Sequence, residues 1–208
     1  MIMNTIELAE QFLKENIKDT YRVAHSYRVA NIGKIIAQNE GLDVEDTIIA
    51  CLLHDIAYRD EFKTQEDWMN HGRKSARIVR EFLKKLDFSE QRIHDICFAI
   101  AIHVDLKADF EGEYTTFAQT IQEADNIDRV GVYRLYETLE AVQFSKRPLE
   151  VQIQYVEDMI KTLNEYLTYE LSTSTAASLW KNRVEFQLDY YNRLKNQFNI
   201  SQKISVQD

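Results

Sequence analysis

The sequence contains little glycine, proline or cysteine, with 5 Gly, 1 Pro and 2 Cys among 208 residues. Glycine and proline mark turns and break helices, so their scarcity disfavours a fold with many tight hairpins. Cys51 and Cys97 lack the spacing of a metal motif or a disulfide framework. Both lie inside apolar runs, where a free cysteine is usually a small core side chain. The composition therefore predicts an all-α protein.

Long apolar runs and an excess of positive charge are also missing. The longest apolar runs, such as ICFAIAI, have about seven residues, whereas a transmembrane helix needs roughly 20. No charged segment followed by an apolar one opens the chain in the manner of a signal peptide. The formal net charge is −9, and binding to nucleic acids or anionic membranes usually requires a concentrated basic surface. We therefore expect a soluble cytoplasmic protein whose partners include no nucleic acid polymer and no membrane.

Capping residues and apolar periodicity predict eight to ten helices. Asn4, Asp43 and Ser89 each precede a helical pattern as N-cap residues. One predicted helix ends near His54 and Asp55. The polar segment YRDEFKTQEDW follows it, and we expect this segment to form a loop at the rim of a site.

The helical pattern predicts one domain over residues 1–198 and a polar tail over 199–208. The C-terminal helices occupy 148–198 and begin at Pro148, since proline is tolerated in a first helical turn. These helices are rich in tyrosine, phenylalanine and tryptophan. Aromatic side chains release much free energy on burial, either in a core or in a subunit contact. The pattern favours a core, and both a monomer and a homodimer stay open.

Five ionisable side chains recur in helical step with apolar neighbours and so point towards the predicted core: His25, Asp55, His71, His103 and Asp125. Residues that are three, four or seven positions apart fall on one stripe of a helix. Burying an unpaired carboxylate is costly or raises its pKa, so inward carboxylates need a cation or hydrogen-bond donors. Because imidazoles arrive from other helices, a divalent metal ion is the partner that this pattern favours.

The order of these residues resembles a known family. His25 is followed by the adjacent pair His54 and Asp55 and then by the distant Asp125, in the contexts AHSYRV, ACLLHDIA and IQEADNIDRVG. This order resembles the HD-domain superfamily of metal-dependent phosphohydrolases, and the resemblance covers residues 21–139. It implies a helical HD domain in which these four side chains bind a divalent ion. Imidazole and carboxylate ligands suit Mn, Fe, Co, Zn or Mg and leave positions open for water or substrate.

Two further histidines, His71 and His103, bear on the number of metal ions. In dinuclear members of the superfamily, histidines in this interval hold a second ion, so one ion is expected and two are the alternative. Val104 follows His103 where the dinuclear phosphodiesterase branch has paired histidines, which disfavours that branch. A second His-Asp pair, His94 and Asp95, is predicted to lie at a solvated helix start.

The resemblance also suggests catalytic residues. Asp55 is the expected catalytic pivot, because one carboxylate oxygen can bind metal while the other orients water. Asp128 is the second candidate, as a general base or as the hydrogen-bond partner of a histidine, with a surface acid as the alternative.

Candidates for substrate phosphate contacts are Arg28, His71, Lys74 and Arg129. Lys74 follows a predicted helix start, where backbone N–H groups already favour anions. For Arg129 a structural salt bridge is the alternative. Many relatives read HDIGK, but Tyr58 stands at the lysine position here, so the substrate of those relatives is not transferable.

Three functions are compatible with these residues. The preferred one is metal-dependent hydrolysis of a small phosphorylated metabolite, with nucleotides among the candidates. The first alternative is a non-catalytic metal-containing module that binds nucleotides or regulates, which the missing lysine favours. The second is a diiron oxygenase on the same scaffold, which needs two irons and more imidazole ligands.

Overall fold

The computed structural model describes residues 4–201, and within them it contains ten α-helices, two short 3-10 helices and no strand. The prediction of an all-α fold with eight to ten helices is confirmed. The α-helices are α1 Thr5–Asn16, α2 Thr20–Glu40, α3 Val44–Leu53, α4 Gln65–Met69, α5 His71–Leu83, α6 Glu90–Ile102, α7 Thr116–Arg129, α8 Val132–Ala141, α9 Leu149–Tyr166 and α10 Ser174–Ser201. The 3-10 helices are Ile56–Arg59 and Phe144–Lys146.

The predicted N-caps begin three of these helices. Asn4 forms a capping box with Glu7, in which each side chain accepts the backbone N–H of the other at 2.9 Å. Asp43 accepts the N–H of Asp46 at 2.8 Å at the start of α3. Ser89 caps α6 in the same way. Local side-chain chemistry therefore fixes where these helices start.

The chain forms two compact units. The first contains the described residues up to Asp128 together with Ser172–Ala176. In it α2 packs on α3, α5 on α6, and α3 on both α1 and α6. Gly33 lies where α2 meets α3, and a Cβ there would be 2.6 Å from Cys51 Sγ, so these helices approach closely. Cys51 and Cys97 are buried core residues, and burial raises the pKa of Cys97 to about 12.

The second unit contains Arg129–Leu171 and the described residues from Ala177 onward. Within it Trp180 Nε1 donates to the carbonyl of Tyr166 at 2.8 Å, and Tyr191 is buried. Tyr136 and Phe186, by contrast, are exposed. The predicted aromatic core is thus partly formed within this unit, and the single-domain organisation over 1–198 stays a prediction.

The structure differs from the predicted elements at three places. Helix α8 was not predicted, since Gly131 precedes it without a side-chain cap. The short helix α4 begins within the segment predicted to be a loop and ends one residue beyond it. Helix α10 extends to Ser201, and the remainder of the predicted tail lies outside the described residues. None of the described helices combines the length and apolar character needed to cross a membrane.

Candidate metal centre

Three helices of the first unit bring the four predicted metal ligands together. His25 comes from α2, His54 and Asp55 follow α3, and Asp125 comes from α7. His25 Nε2 lies 3.2 Å from Asp125 Oδ1 and 3.8 Å from Asp55 Oδ2. His54 Nε2 lies 3.7 Å from Asp55 Oδ2 and 3.8 Å from Asp125 Oδ1. All four side chains are buried, so the polar stripes seen in the sequence meet in the interior.

The end of α3 explains how two adjacent residues reach one centre. Successive residues of a helix point about 100° apart, which would separate His54 from Asp55. His54 is the C-cap of α3, and Asp55 leaves the helical conformation with φ −103° and ψ 15°. The 3-10 helix that follows is held by the Ser75 hydroxyl, which accepts the N–H of Ala57 at 3.1 Å. The helix ends at the residues where the sequence predicted it.

A second pair of potential ligands, His71 and His103, lies near the other carboxylate oxygen of Asp55. Asp55 Oδ1 is 3.1 Å from His71 Nε2 and 3.7 Å from His103 Nε2. Gly72 lets α5 start directly against the end of α6, because a Cβ there would be 2.7 Å from the carbonyl oxygen of Ala101. The two carboxylate oxygens of Asp55 therefore face different pairs of histidines.

All four histidines are oriented through Nδ1. Three of the Nδ1 atoms contact the backbone carbonyl three residues earlier: His54 that of Cys51, His71 that of Trp68 and His103 that of Ile100. The fourth, His25 Nδ1, contacts Asp128 Oδ2 at 2.8 Å. A carbonyl or carboxylate oxygen accepts, so each Nδ1–H donates and each neutral ring keeps its lone pair on Nε2, which points into the cluster.

The cluster shifts the pKa values of its members in opposite directions. Burial opposes protonation of His25, yet hydrogen bonds to Asp125 and Asp128 raise its pKa to about 9. Burial lowers the pKa of His54 to about 4. Burial also disfavours ionised Asp55, but the surrounding histidines hold its pKa well below its usual value. Asp55 is thus an anion among imidazoles.

The donor set fits a divalent cation. His54 Nε2 and Asp55 Oδ1 are buried, and with the ring protons on Nδ1 neither atom accepts a hydrogen bond within the part of the chain that the structure describes. Two buried acceptors that receive no hydrogen bond carry a large desolvation cost, which a cation would offset. Three sets of ligand atoms lie within 4.8 Å of one another, namely His25, His54 and Asp55; His54, His103 and Asp125; and Asp55, His71 and His103.

Asp128 and Arg28 form a support for His25. Arg28 Nε lies 2.9 Å from Asp128 Oδ1, and Arg28 Nη2 lies 3.1 Å from Oδ2. Both carboxylate oxygens of Asp128 are thereby engaged, and the residue is buried rather than on the surface. This geometry favours an orienting role for Asp128 over that of a general base. It also gives Arg28 a positioning contact, while its predicted contact with substrate stays a prediction.

The other predicted substrate residues have different surroundings. Lys74 Nζ pairs with Asp60 Oδ2 at 2.9 Å, and both side chains are partly exposed. Arg129 is exposed at the end of α7 and belongs to the second unit. His71 lies inside the cluster itself, with its Nε2 3.1 Å from Asp55 Oδ1. His94 and Asp95 lie on the first turns of α6 and contact each other at 3.2 Å, away from the cluster.

Arg22 was not among the residues predicted from the sequence. This residue lies one turn before His25 on α2, and its Nη1 is 3.3 Å from Asp55 Oδ2. Its guanidinium carbon stacks 3.6 Å from the centre of the Tyr58 ring. The spacing of three residues from His25 could have placed Arg22 on the same helix face. Its contacts, however, come from a segment more than thirty residues later, and no local pattern reveals them.

The segment after Asp55 forms an aromatic rim. The ring of Tyr58 lies 5.2 Å from that of His71, and Phe62 lies 4.5 Å from Tyr58. Trp68 lies 6.0 Å from His71 and is exposed. The polar segment predicted at the edge of the site therefore does border the cluster.

Comparison with known proteins identifies this arrangement. The model of the HD domain family matches residues 22–130, which is more than half of the chain. The chain belongs to the HD domain family. The match confirms the resemblance seen in the sequence and includes every residue of the cluster.

Two solved structures share the fold of this HD domain. A predicted HD superfamily hydrolase from an uncultured Thermotogales bacterium is 20% identical, with a TM-score of 0.65, over 94% of this chain and 99% of that one. Bacillus subtilis YpgQ, solved in complex with ADP, is 18% identical, with a TM-score of 0.63, over 94% and 97% of the two chains. At these identities the likeness shows the fold alone.

A curated relative matches part of the same HD domain. Ribonuclease Y of Mycoplasma mycoides is 29% identical over 136 residues, which are 61% of this chain and 32% of the relative. The chain thus spans about a third of the length of this relative. HD domains bind divalent metals, and family membership supports hydrolase activity in general terms.

Proposed function

We propose that this HD domain is a metal-dependent phosphohydrolase of small phosphorylated molecules. The observation that carries the proposal is the convergence of four imidazole Nε2 atoms on the carboxylates of Asp55 and Asp125. Two atoms of this buried cluster have no hydrogen-bond partner in residues 4–201, so the cluster is built for a cation. A structural role alone would be served better by apolar side chains, because buried unpaired polar groups destabilise a fold.

We assign the first ion to His25, His54, Asp55 and Asp125, and a second position to Asp55, His71 and His103. The second position is supported by the separation of the Asp55 oxygens between the two pairs of histidines. A bound divalent ion supplies Lewis-acid activation of water and offsets negative charge on the phosphoryl group. The identity of the metal follows from elemental analysis of the purified protein, with Mn, Fe, Co, Zn and Mg as candidates.

The side chains of the chain itself hold and orient these groups. Asp55 is the pivot, since its two carboxylate oxygens face different pairs of histidines. Asp128 fixes the ring of His25, and Arg28 fixes Asp128. Tyr58 and Phe62 border the cluster and limit the access of water, which strengthens electrostatic interactions there. Pre-organised polar groups in a partly dry site are the main requirement of phosphoryl transfer.

Nucleotides are the first substrate class to test. The YpgQ structure of the same fold contains ADP, and ADP carries the phosphate groups that such a centre would hydrolyse. Ribonuclease Y suggests a phosphodiester of RNA as the competing substrate. The net charge of −9 disfavours a long polyanion. We therefore propose a small substrate, with no nucleic acid polymer and no membrane as partner.

The test is a phosphate-release screen over nucleoside mono-, di- and triphosphates, sugar phosphates and a single-stranded RNA oligonucleotide. Asp55→Asn should lower kcat at least about 1,000-fold, because it removes a charge shared by both ligand groups. Asp95→Asn is the matched control, since Asp95 also follows a histidine but is exposed on α6. Nucleotide binding without turnover in the metal-loaded wild type would instead support the regulatory module. Oxygen consumption with bound iron would support the oxygenase.

A further inference from the structure

Arg22 combines three features that the metal centre alone does not require. It contacts Asp55 through a single 3.3 Å interaction, and it keeps 30% of its side chain exposed. Its guanidinium carbon lies over the ring of Tyr58, 3.6 Å from the ring centre. Arg22 is therefore a cation at the boundary between the buried cluster and solvent, and its guanidinium packs on an aromatic ring.

We propose that Arg22 is a substrate-contacting residue that binds the phosphoryl group beside the cluster, with Tyr58 holding its guanidinium in position. The inference rests on the proposed function and extends it by naming a phosphate-recognising residue. The ligand chemistry is a phosphate monoester or a terminal phosphate, which presents two or three oxygens to one planar donor.

The charge balance of the cluster supports this role. Asp55 and Asp125 together carry two negative charges, which the first divalent ion would balance even with the second position empty. Asp128 is already paired with Arg28 through three hydrogen-bond contacts. Arg22 then contributes positive charge next to the ion, where a phosphate would enter with about one and a half to two negative charges.

The contacts of the neighbouring cations also support a phosphate-binding role for Arg22. Arg28 donates hydrogen bonds to Asp128 at 2.9, 3.1 and 3.2 Å, whereas Arg22 has a single contact with Asp55, at 3.3 Å. Lys74 pairs with Asp60, whose side chain is about half exposed. Of these three cations, Arg22 lies nearest Asp55. It would lose only one hydrogen-bond contact on binding a phosphate.

Tyr58 explains why an arginine is suited to this position. A guanidinium stacked on an aromatic face is attracted to the ring and keeps the edge of its fork free for hydrogen bonds. A lysine would keep the charge but lose the two-pronged geometry. The Arg22–Tyr58 pair thus places an oriented cation from α2 beside Asp55.

The experiment measures binding of inorganic phosphate to the Mn²⁺-loaded protein by calorimetry. Arg22→Gln should weaken phosphate binding roughly 10- to 100-fold, as expected for losing a hydrogen-bonded ionic contact. Arg22→Lys should give a smaller loss. Arg59→Gln is the matched control, because Arg59 is exposed and its guanidinium contacts Asn16; it should bind phosphate as the wild type does. Circular dichroism verifies that each variant is folded.

Mn²⁺ affinity, measured on the same proteins, separates substrate contact from a structural role. We expect Arg22→Gln to bind Mn²⁺ as tightly as the wild type or more tightly, because a positive charge beside Asp55 is removed. Loss of Mn²⁺ binding in Arg22→Gln would overturn the inference by showing that Arg22 positions Asp55. Unchanged phosphate binding in that variant, or no phosphate binding by the wild type at millimolar concentration, would also overturn it.

Kinetics distinguish this inference from the proposed function. If a substrate is hydrolysed, Arg22→Gln should raise KM more than it lowers kcat, and an unchanged KM would overturn the inference while the hydrolase assignment stands. If no substrate in the screen is hydrolysed but phosphate binding depends on Arg22, the inference holds and the hydrolase assignment fails.

Discussion

At the scale of single residues, the cluster depends on hydrogen bonds that lie outside the predicted ligand set. Each imidazole is turned by an acceptor on Nδ1, and for His25 that acceptor is a carboxylate rather than a carbonyl. A carboxylate makes the ring more basic and therefore a better ligand. The affinity of the first ion should thus depend on Asp128, although Asp128 is not one of its ligands.

We expect Asp128→Asn to weaken Mn²⁺ binding roughly 10- to 100-fold, the usual cost of removing such a partner. Arg28→Gln should cause a smaller loss, because Arg28 acts on His25 only through Asp128. Titration calorimetry measures both, with Asp95→Asn as the control. If Asp128→Asn bound Mn²⁺ normally but lost hydrolysis, Asp128 would be a general base instead of an orienting residue.

The residues of the cluster were largely predictable, and those of the rim were not. His25, Asp55 and Asp125 stand out because a polar side chain on an apolar stripe needs a partner. Arg22 and Tyr58 give no such signal, since a half-exposed arginine or tyrosine on a helix is ordinary. Their pairing joins segments that are distant in sequence, so it becomes visible only when α2 is packed beside the end of α3.

At the scale of elements, the second ligand group depends on how closely α5 meets α6. Gly72 follows His71 directly, and its missing side chain leaves room for the carbonyls of Ile100 and Ala101. In most helices glycine is a weak point, and alanine would stabilise the helix by up to about 1 kcal/mol. Here the packing reverses that preference.

Gly72→Ala should therefore destabilise the protein by about 1 to 3 kcal/mol, the usual cost of overpacking. The new Cβ would also lie 3.2 Å from His103 Nδ1, so the second ion should be lost before the first. Chemical denaturation measures the stability, and elemental analysis measures the metal content. A variant that is as stable as the wild type and binds as much metal would show that α5 can shift without cost.

Most helix starts were predicted, from a capping side chain at α1, α3 and α6 and from Pro148 at α9, whereas the starts of α8 and α4 were not. The starts of α1, α3 and α6 could be predicted because each has an N-cap side chain that accepts a hydrogen bond from the first turn, namely Asn4, Asp43 and Ser89. Helix α8 begins after Gly131 without such a bond, and it was missed. The short α4 carries its own capping box, between Thr64 and Asp67, but five residues are too few for a periodic pattern.

At the scale of the whole molecule, metal binding and folding are linked through protons. In the metal-free protein the pKa of His25 is raised from 6.5 to about 9. Its protonated form therefore stabilises the fold fully below pH 6.5, and this contribution is lost as the pH rises through 9. A bound ion needs the neutral ring, so stabilisation by metal increases over the same range.

We expect the difference in Tm between Mn²⁺-loaded and chelator-treated protein to widen from pH 6.5 to 9 and then to level off. Thermal unfolding at several pH values and a fixed free Mn²⁺ concentration measures it. In Asp128→Asn the window should move to lower pH, because His25 loses one of the hydrogen bonds that raise its pKa. A difference in Tm that stays constant across this range would contradict the linkage.

The histidine anchors have a consequence for how this centre can vary. His54, His71 and His103 are oriented by main-chain oxygens, and a main-chain oxygen is retained whatever amino acid occupies its position. Codon changes at Cys51, Trp68 or Ile100 leave those acceptors in place. The His25 acceptor belongs to a side chain, so a single nucleotide change can remove it. Selection can therefore change how tightly His25 binds the metal ion while the other three rings keep their orientation.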